Sequence, residues 1–262
     1  MRSITFTVSK GGVGKSLITA NVGAALAKKG KKVVLVEGDT NQPLQKILGL
    51  TFSPEDPRLE NVVEKDAEID KAVYPTGFDN LFLIPSGISL QSYFEIDPIS
   101  FARKLSSLRT DFMLIDVPFP LGKAAFLSLG VCEYFVPILT EDEIVLCVES
   151  TIDTIRLGKY FLKSTPLGFI LNRIKTSKFT NEFVRDLENL LEIPCITQIK
   201  ENKEVTKSYG EVGPQKAFLA YDKLPQSEFA EKTEEIAAWL LIERPESDRK
   251  DTVRLLQEVT RP

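Results

Sequence analysis

Seven short apolar runs, rich in β-branched and aromatic residues, recur along this chain: ITFTV, KVVLVE, LFLIP, FMLID, YFVPIL, GFILN and IPCITQI. Segments of helical periodicity separate most of them, at residues 15–29, 97–108, 122–130, 142–162, 178–191 and 226–242. Strands that alternate with helices at this spacing predict an α/β fold, a doubly wound and mostly parallel sheet with helices on both faces. The runs are continuously apolar rather than alternating, as a strand covered on both faces requires. The crossovers are expected to be right-handed. Residues 51–80 read as irregular, because Pro54, Pro57, Pro75 and Gly77 break any long element. With 262 residues, 43% of them hydrophobic, the chain can bury one large core. One domain over 1–243 is expected, followed by a helical tail at 244–262.

Charge and composition narrow the function. Lys and Arg number 33 against 37 Asp and Glu, a net charge of -4, so no global basic field advertises nucleic acid. Histidine is absent, which removes the commonest general base and metal ligand. Cys132, Cys147 and Cys195 are odd in number and widely spaced, which fits buried thiols in a reducing compartment and neither a disulfide frame nor a zinc site. The N-terminus runs directly into a strand, and no apolar run reaches the roughly 18 residues of a membrane span. A cytoplasmic protein is expected.

The chemistry concentrates where the first run meets the first helix, in "VSKGGVGKS". Gly11, Gly12 and Gly14 permit close backbone approach, so that successive amides, including those of Val13 and Leu17, can face one concavity. The helix that follows adds its positive end. Lys15 is placed to reach the β- and γ-phosphates of a nucleotide and the Ser16 hydroxyl to bind Mg²⁺. Ser9 stands where the strict phosphate-loop motif has its first glycine, and Lys10 adds a second cation.

"KGGVGKS" resembles the deviant Walker A box, KGGxGK[ST], of the MinD/ParA ATPases, within the SIMIBI-like P-loop NTPases. The resemblance runs from Met1 to about Leu241 and is nearest to the archaeal MinD-like branch. It implies that Lys10 reaches across a two-fold interface to the partner subunit's nucleotide, so that ATP-bound chains form a homodimer. It implies ATP and Mg²⁺ as cofactors, and slow hydrolysis to ADP and phosphate.

The carboxylates follow from strand ends and from that resemblance. "VLVEGDTNQP" resembles the family's D-x-D box, which makes Asp39 the residue that orients the attacking water. Its strand is expected beside the first strand's loop. Glu37 stands where the family has its first aspartate, so an altered Mg²⁺ surrounding is expected there. Asp116 ends the apolar strand "FMLID" and is expected to hold Mg²⁺ through a bound water. Beyond it the family's D-x-P-A-G is replaced, and Pro120 has no amide to give a γ-phosphate. Asn172, at the end of "GFILN", carries a donor and an acceptor that suit adenine, and turn formation is the alternative.

The function expected is an ATP-dependent dimerisation switch in cell division or intracellular positioning, read by an unidentified protein partner. The alternatives are a nucleotide-dependent scaffold with vestigial hydrolysis and a DNA-positioning ParA-type ATPase using Arg173, Lys175, Lys178 and Arg185. The acidic balance argues against the last. The tail places Val253, Leu255, Leu256 and Val259 on roughly one face. It reads first as a helix packed on its own domain or a frayed end, with attachment to a membrane surface and docking on a partner as the alternatives.

Overall fold

A computed structural model describes residues 1–8, 10–64, 68–87, 97–117, 123–176, 179–209, 212 and 216–243. Its strands are β1 (Arg2–Val8), β2 (Val33–Glu37), β3 (Tyr74–Pro75), β4 (Leu81–Ile84), β5 (Phe112–Asp116), β6 (Tyr134–Thr140), β7 (Thr165–Pro166), β8 (Phe169–Ile174) and β9 (Cys195–Lys200). They form one sheet in the order β3-β4-β2-β5-β1-β6-β8-β9, with β7 added to β6. Every pairing is parallel except β3 with β4. The doubly wound, mostly parallel sheet is therefore observed. Each expected run became a strand.

The helices are α1 (Lys15–Lys28), α2 (Pro43–Ile47), α3 (Leu59–Glu64), α4 (Pro98–Ser106), α5 (Lys123–Val131), α6 (Ile144–Arg156), α7 (Asn181–Leu191), α8 (Lys203–Tyr209), α9 (Ala220–Lys223) and α10 (Glu228–Leu241). Alternate strand residues face opposite sides, and that alternation distributes them between layers. Val33 and Leu35 of β2 join α1 and α10 in one cluster with Ile18, Leu26, Ile236 and Leu240. Val34 and Val36 join α4 and α5 on the other side, with Phe101, Leu105 and Leu127. Leu139, Phe169 and Leu171 pack with Val148, Val184 and Leu187 of α6 and α7. Side-chain caps start several of the helices. Asp97 accepts from Ser100 N–H at 2.7 Å, Thr180 from Phe183 N–H at 3.2 Å and Ser227 from Ala230 N–H at 3.2 Å.

Three details differ from expectation. Residues 51–80 hold short elements, α3, a 3₁₀ turn at Ile69–Ala72 and β3, which bury Leu59, Val62 and Ile69 in the second cluster. The helix expected to reach 162 gives way to a π turn at Leu157–Phe161. There Gly158 lies so close to Phe135 that a Cβ would meet the ring at 2.6 Å. Finally, β2 pairs with β5 and not with β1, so β5 separates the two loops expected side by side. Pro118–Pro120 and the tail at 244–262, with the domain boundary placed before it, lie outside the described residues. Among the described residues, no helix is long and apolar enough to cross a membrane.

Candidate nucleotide site

Parallel strands leave their carboxyl ends at one edge, where loops leading to opposite faces diverge and open a crevice. The carboxyl ends of β1, β2, β8 and β9 border such a cleft here, with a volume of ≈ 340 Å³. The expected loop residues Lys10, Gly11, Gly12, Val13, Gly14, Lys15, Ser16 and Leu17 line it, together with Asp39 and Asn172. The sequence reading therefore converges on one place.

The loop is shaped by its glycines and held from across the sheet. Gly12 and Gly14 adopt φ of 76° and 85°, the left-handed region that a side chain disfavours. Gly14 is also the N-cap of α1 and supplies no side-chain cap, which leaves first-turn amides to a ligand. Asn172 Nδ2 donates to the Val13 carbonyl at 2.7 Å, and a Cβ on Gly14 would meet that same nitrogen at 2.7 Å. Asn172 thus buttresses the loop, with its donor turned to backbone. Next to it, Arg173 donates from Nη1 to the Gly12 carbonyl at 2.9 Å and pairs with Glu201 at 3.0 Å.

Lys15 and Asp116 meet directly. Lys15 Nζ contacts Asp116 Oδ1 where both side chains are buried, 8% and 0% exposed. The residue expected on phosphate and the one expected on metal therefore share one ion pair. Asp116 Oδ2 is buried and has no hydrogen-bond partner among the described residues. An acceptor left unsatisfied in the interior costs about 1–3 kcal/mol, so this oxygen suits a cation or its bound water. No cluster of three or more His, Cys, Asp or Glu is present among the described residues. A single carboxylate in contact with Lys15, the residue before Ser16, fits Mg²⁺, which takes one or two carboxylates and completes its sphere with water and phosphate oxygens.

Asp39 sits on the cleft wall, in a loop tied to β5 by the Gly38 N–H to the Asp116 carbonyl at 2.7 Å. Its Oδ1 accepts from Asn41 N–H at 2.8 Å and from Asn41 Nδ2 at 3.0 Å. That is the turn-forming arrangement of an aspartate.

Glu37, beside Asp116 in the sheet, has a visible structural task. It is fully buried, and its carboxylate accepts from Leu44 N–H at 2.7 Å, Gln45 N–H at 3.2 Å and Gln45 Nε2 at 2.5 Å. Leu44 and Gln45 begin α2, so Glu37 caps that helix from beneath. Burial pushes its carboxyl up to about 7, against the opposing pull of the Gln45 and Leu44 bonds. Glu37→Asp shortens the arm by one methylene and strands these buried donors. A loss of about 2 kcal/mol in unfolding free energy is expected, read from urea melts. A variant as stable as the wild type would refute the capping role.

Lys10 stands at the rim, its side chain 26% exposed, and its Nζ lies 3.5 Å from Glu143 Oε2 of the loop before α6. Nothing in the sequence pattern signalled that partner, which is distant in the chain and takes a left-handed φ of 60°. Asn202, just before α8, and Thr206 and Tyr209 of that helix also line the cleft, and the two helix residues were not anticipated. The basic patch considered for DNA is offset by neighbouring acids. Arg173 pairs with Glu201 and Lys175 with Asp142 at 2.8 Å, while Lys178 lies outside the described residues. None of the three cysteines forms a disulfide, and Cys132 and Cys147 are buried.

Comparison with known proteins agrees with this geometry. Residues 4–214 match the CobQ/CobB/MinD/ParA nucleotide binding domain. An ATP-binding protein of Methanocaldococcus jannaschii is 33% identical over 265 aligned positions, covering 99% of this chain and 97% of the relative. The cell division ATPase MinD of Pyrococcus furiosus superposes with a TM-score of 0.75 at 29% identity, covering 91% of this chain and 98% of that one. The septum site-determining protein MinD of Pyrococcus horikoshii, solved with Mg-ADP, gives a TM-score of 0.73 at 27% identity, covering 90% and 94%. A lysine-bearing glycine loop between β1 and α1, a strand-end aspartate beside it and these likenesses lead to one conclusion: the chain belongs to the MinD/ParA family of P-loop nucleotide-binding ATPases.

Proposed function

We propose that this protein is an ATP-dependent dimerisation switch that hydrolyses ATP to ADP and phosphate and acts in cell division or intracellular positioning. The observation that carries the reading is the unequal placement of two loop lysines on one cleft. Lys15 is buried inside it, and Lys10 is at its rim. Lys15 and the amides of Gly11 to Leu17 hold the triphosphate of their own chain. Lys10 extends to the triphosphate of a second copy, so that closure of the pair depends on ATP. Ser16 and Asp116 hold Mg²⁺, and Asp39 orients the attacking water. When bound, Mg²⁺ supplies neutralisation of charge on the phosphate oxygens. Asn172, beside the loop, serves the adenine through the acceptor that its bond to Val13 leaves unused. The Mg-ADP held by the Pyrococcus horikoshii relative supports the choice of ligand.

The test is sedimentation of the full chain with Mg-ATP, with Mg-ADP and with neither, alongside phosphate release. Dimers with ATP alone, and slow release, are expected. A chain that sediments identically in all three conditions would overturn the switch. Dimers without phosphate release would favour the scaffold reading, which draws support from the capping role of Glu37.

For Lys10 to reach a second copy, its pair with Glu143 has to open. Exposed pairs of this kind are worth about 0.2–1 kcal/mol. Glu143→Gln is therefore expected to tighten ATP-dependent dimerisation by up to roughly 5-fold, measured as a dissociation constant by sedimentation. A weaker dimer would instead make Glu143 part of the closed interface.

A further inference from the structure

Far from the nucleotide cleft, at the amino-terminal edge of the sheet, α6, α7 and β7 enclose a second groove of ≈ 240 Å³. Ile152 and Ile155 of α6, Pro166 of β7 and Ile193 form its apolar floor. Tyr160 and Leu190 line it while 60% and 57% exposed. Arg156, Lys159 and Glu192 stand at its margin.

We infer that this groove is the docking site of the chain's own carboxyl-terminal segment, residues 252–260. The path of the described chain points to that occupant. Trp239 Nε1 donates to the Leu167 carbonyl at 3.0 Å, and Leu167 directly follows the Pro166 that lines the groove. The Ile242 carbonyl accepts from Arg2 at 3.2 Å, which fixes the end of α10 at the same edge of the sheet. Residues 244–251 can span up to about 27 Å when extended, enough to pass Leu167 and reach the groove. The segment beyond reads "TVRLLQEVT". In a helix, Thr252, Leu255, Leu256 and Val259 fall on one face at the i, i+3, i+4, i+7 spacing. That face offers aliphatic side chains to the apolar floor, and its small area, with no aromatic residue, suits a groove better than a lipid interface. The charges also match. Glu258 can meet Arg156 or Lys159, and Arg254 can meet Glu192. This inference does not rest on the nucleotide reading, since groove and cleft lie at opposite ends of the strands.

Hydrogen exchange on the full chain tests it. Amides of 252–260 are expected to exchange at least tenfold slower than an unstructured chain, independently of protein concentration. Leu190→Asp and Tyr160→Asp, both at exposed positions that leave the core intact, are expected to return those amides alone to unstructured rates. Four results would each overturn the proposal. They are unprotected amides in the wild type, protection that survives both substitutions, protection lost on dilution (a second copy's segment), and protection seen only with phosphatidylglycerol vesicles.

Discussion

Lys15→Met is expected to weaken nucleotide binding by at least 10²-fold and to destabilise the fold by about 3–5 kcal/mol. Two separate effects are involved. The ammonium is the buried cation of the loop, and each charge-assisted contact it gives a phosphate is worth about 1.5–3 kcal/mol. It is also the counter-ion of Asp116, whose side chain is fully buried at the end of a central strand. Removing one member of such a pair leaves an uncompensated charge in the interior, a larger penalty than removing both. The double variant Lys15→Met with Asp116→Asn is therefore expected to regain most of the lost stability while staying unable to bind nucleotide. Urea melts and fluorescent-nucleotide titration separate the two effects. A double variant no more stable than Lys15→Met would show that the pair contributes nothing to the fold.

The same ion pair shows what the sequence could and could not disclose. Periodicity was sufficient for the seven main strands, because a strand covered on both faces must be apolar along its length, as β2 and β5 are up to their terminal carboxylates. It was blind to β3 and β7, two residues each, whose pairing is set by neighbours and not by pattern. Strand order was equally invisible. That β5 enters between β1 and β2 is a matter of crossover geometry, and it is what brings Asp116 against Lys15, 101 residues away in the chain. At the site, Gly12, Gly14, Lys15 and Ser16 were legible because a local loop has to solve its problem locally. Glu37 was only half legible. Family resemblance placed it near the metal, and the sheet does set it beside Asp116. Its capping of α2 went unread, although Pro43 at the first position of that helix was a local sign of a start needing an acceptor. The partnership of Lys10 with Glu143 had no local sign at all.

Asp39→Ala is expected to lower phosphate release by roughly 10²-fold or more, to leave ATP affinity within about threefold, and to let ATP-bound dimers accumulate. Alanine alone cannot establish a chemical role, because Asp39 also shapes its loop through Asn41. Asp39→Asn separates the two. Asparagine keeps an oxygen that can accept from the Asn41 amide, so the turn survives, but it cannot offer a water a negative charge. If Asp39 acts on the attacking water, asparagine fails as badly as alanine. If it only folds the loop, asparagine turns over like the wild type and alanine alone is slow. Single-turnover phosphate release under saturating Mg-ATP distinguishes these outcomes without interference from product dissociation. The geometry is compatible with the first, since Asn41 engages one carboxylate oxygen and no hydrogen bond joins the other to a described residue. Asp39 can thus hold its turn with one oxygen while the second stays available, and the asparagine variant decides whether that oxygen acts on water.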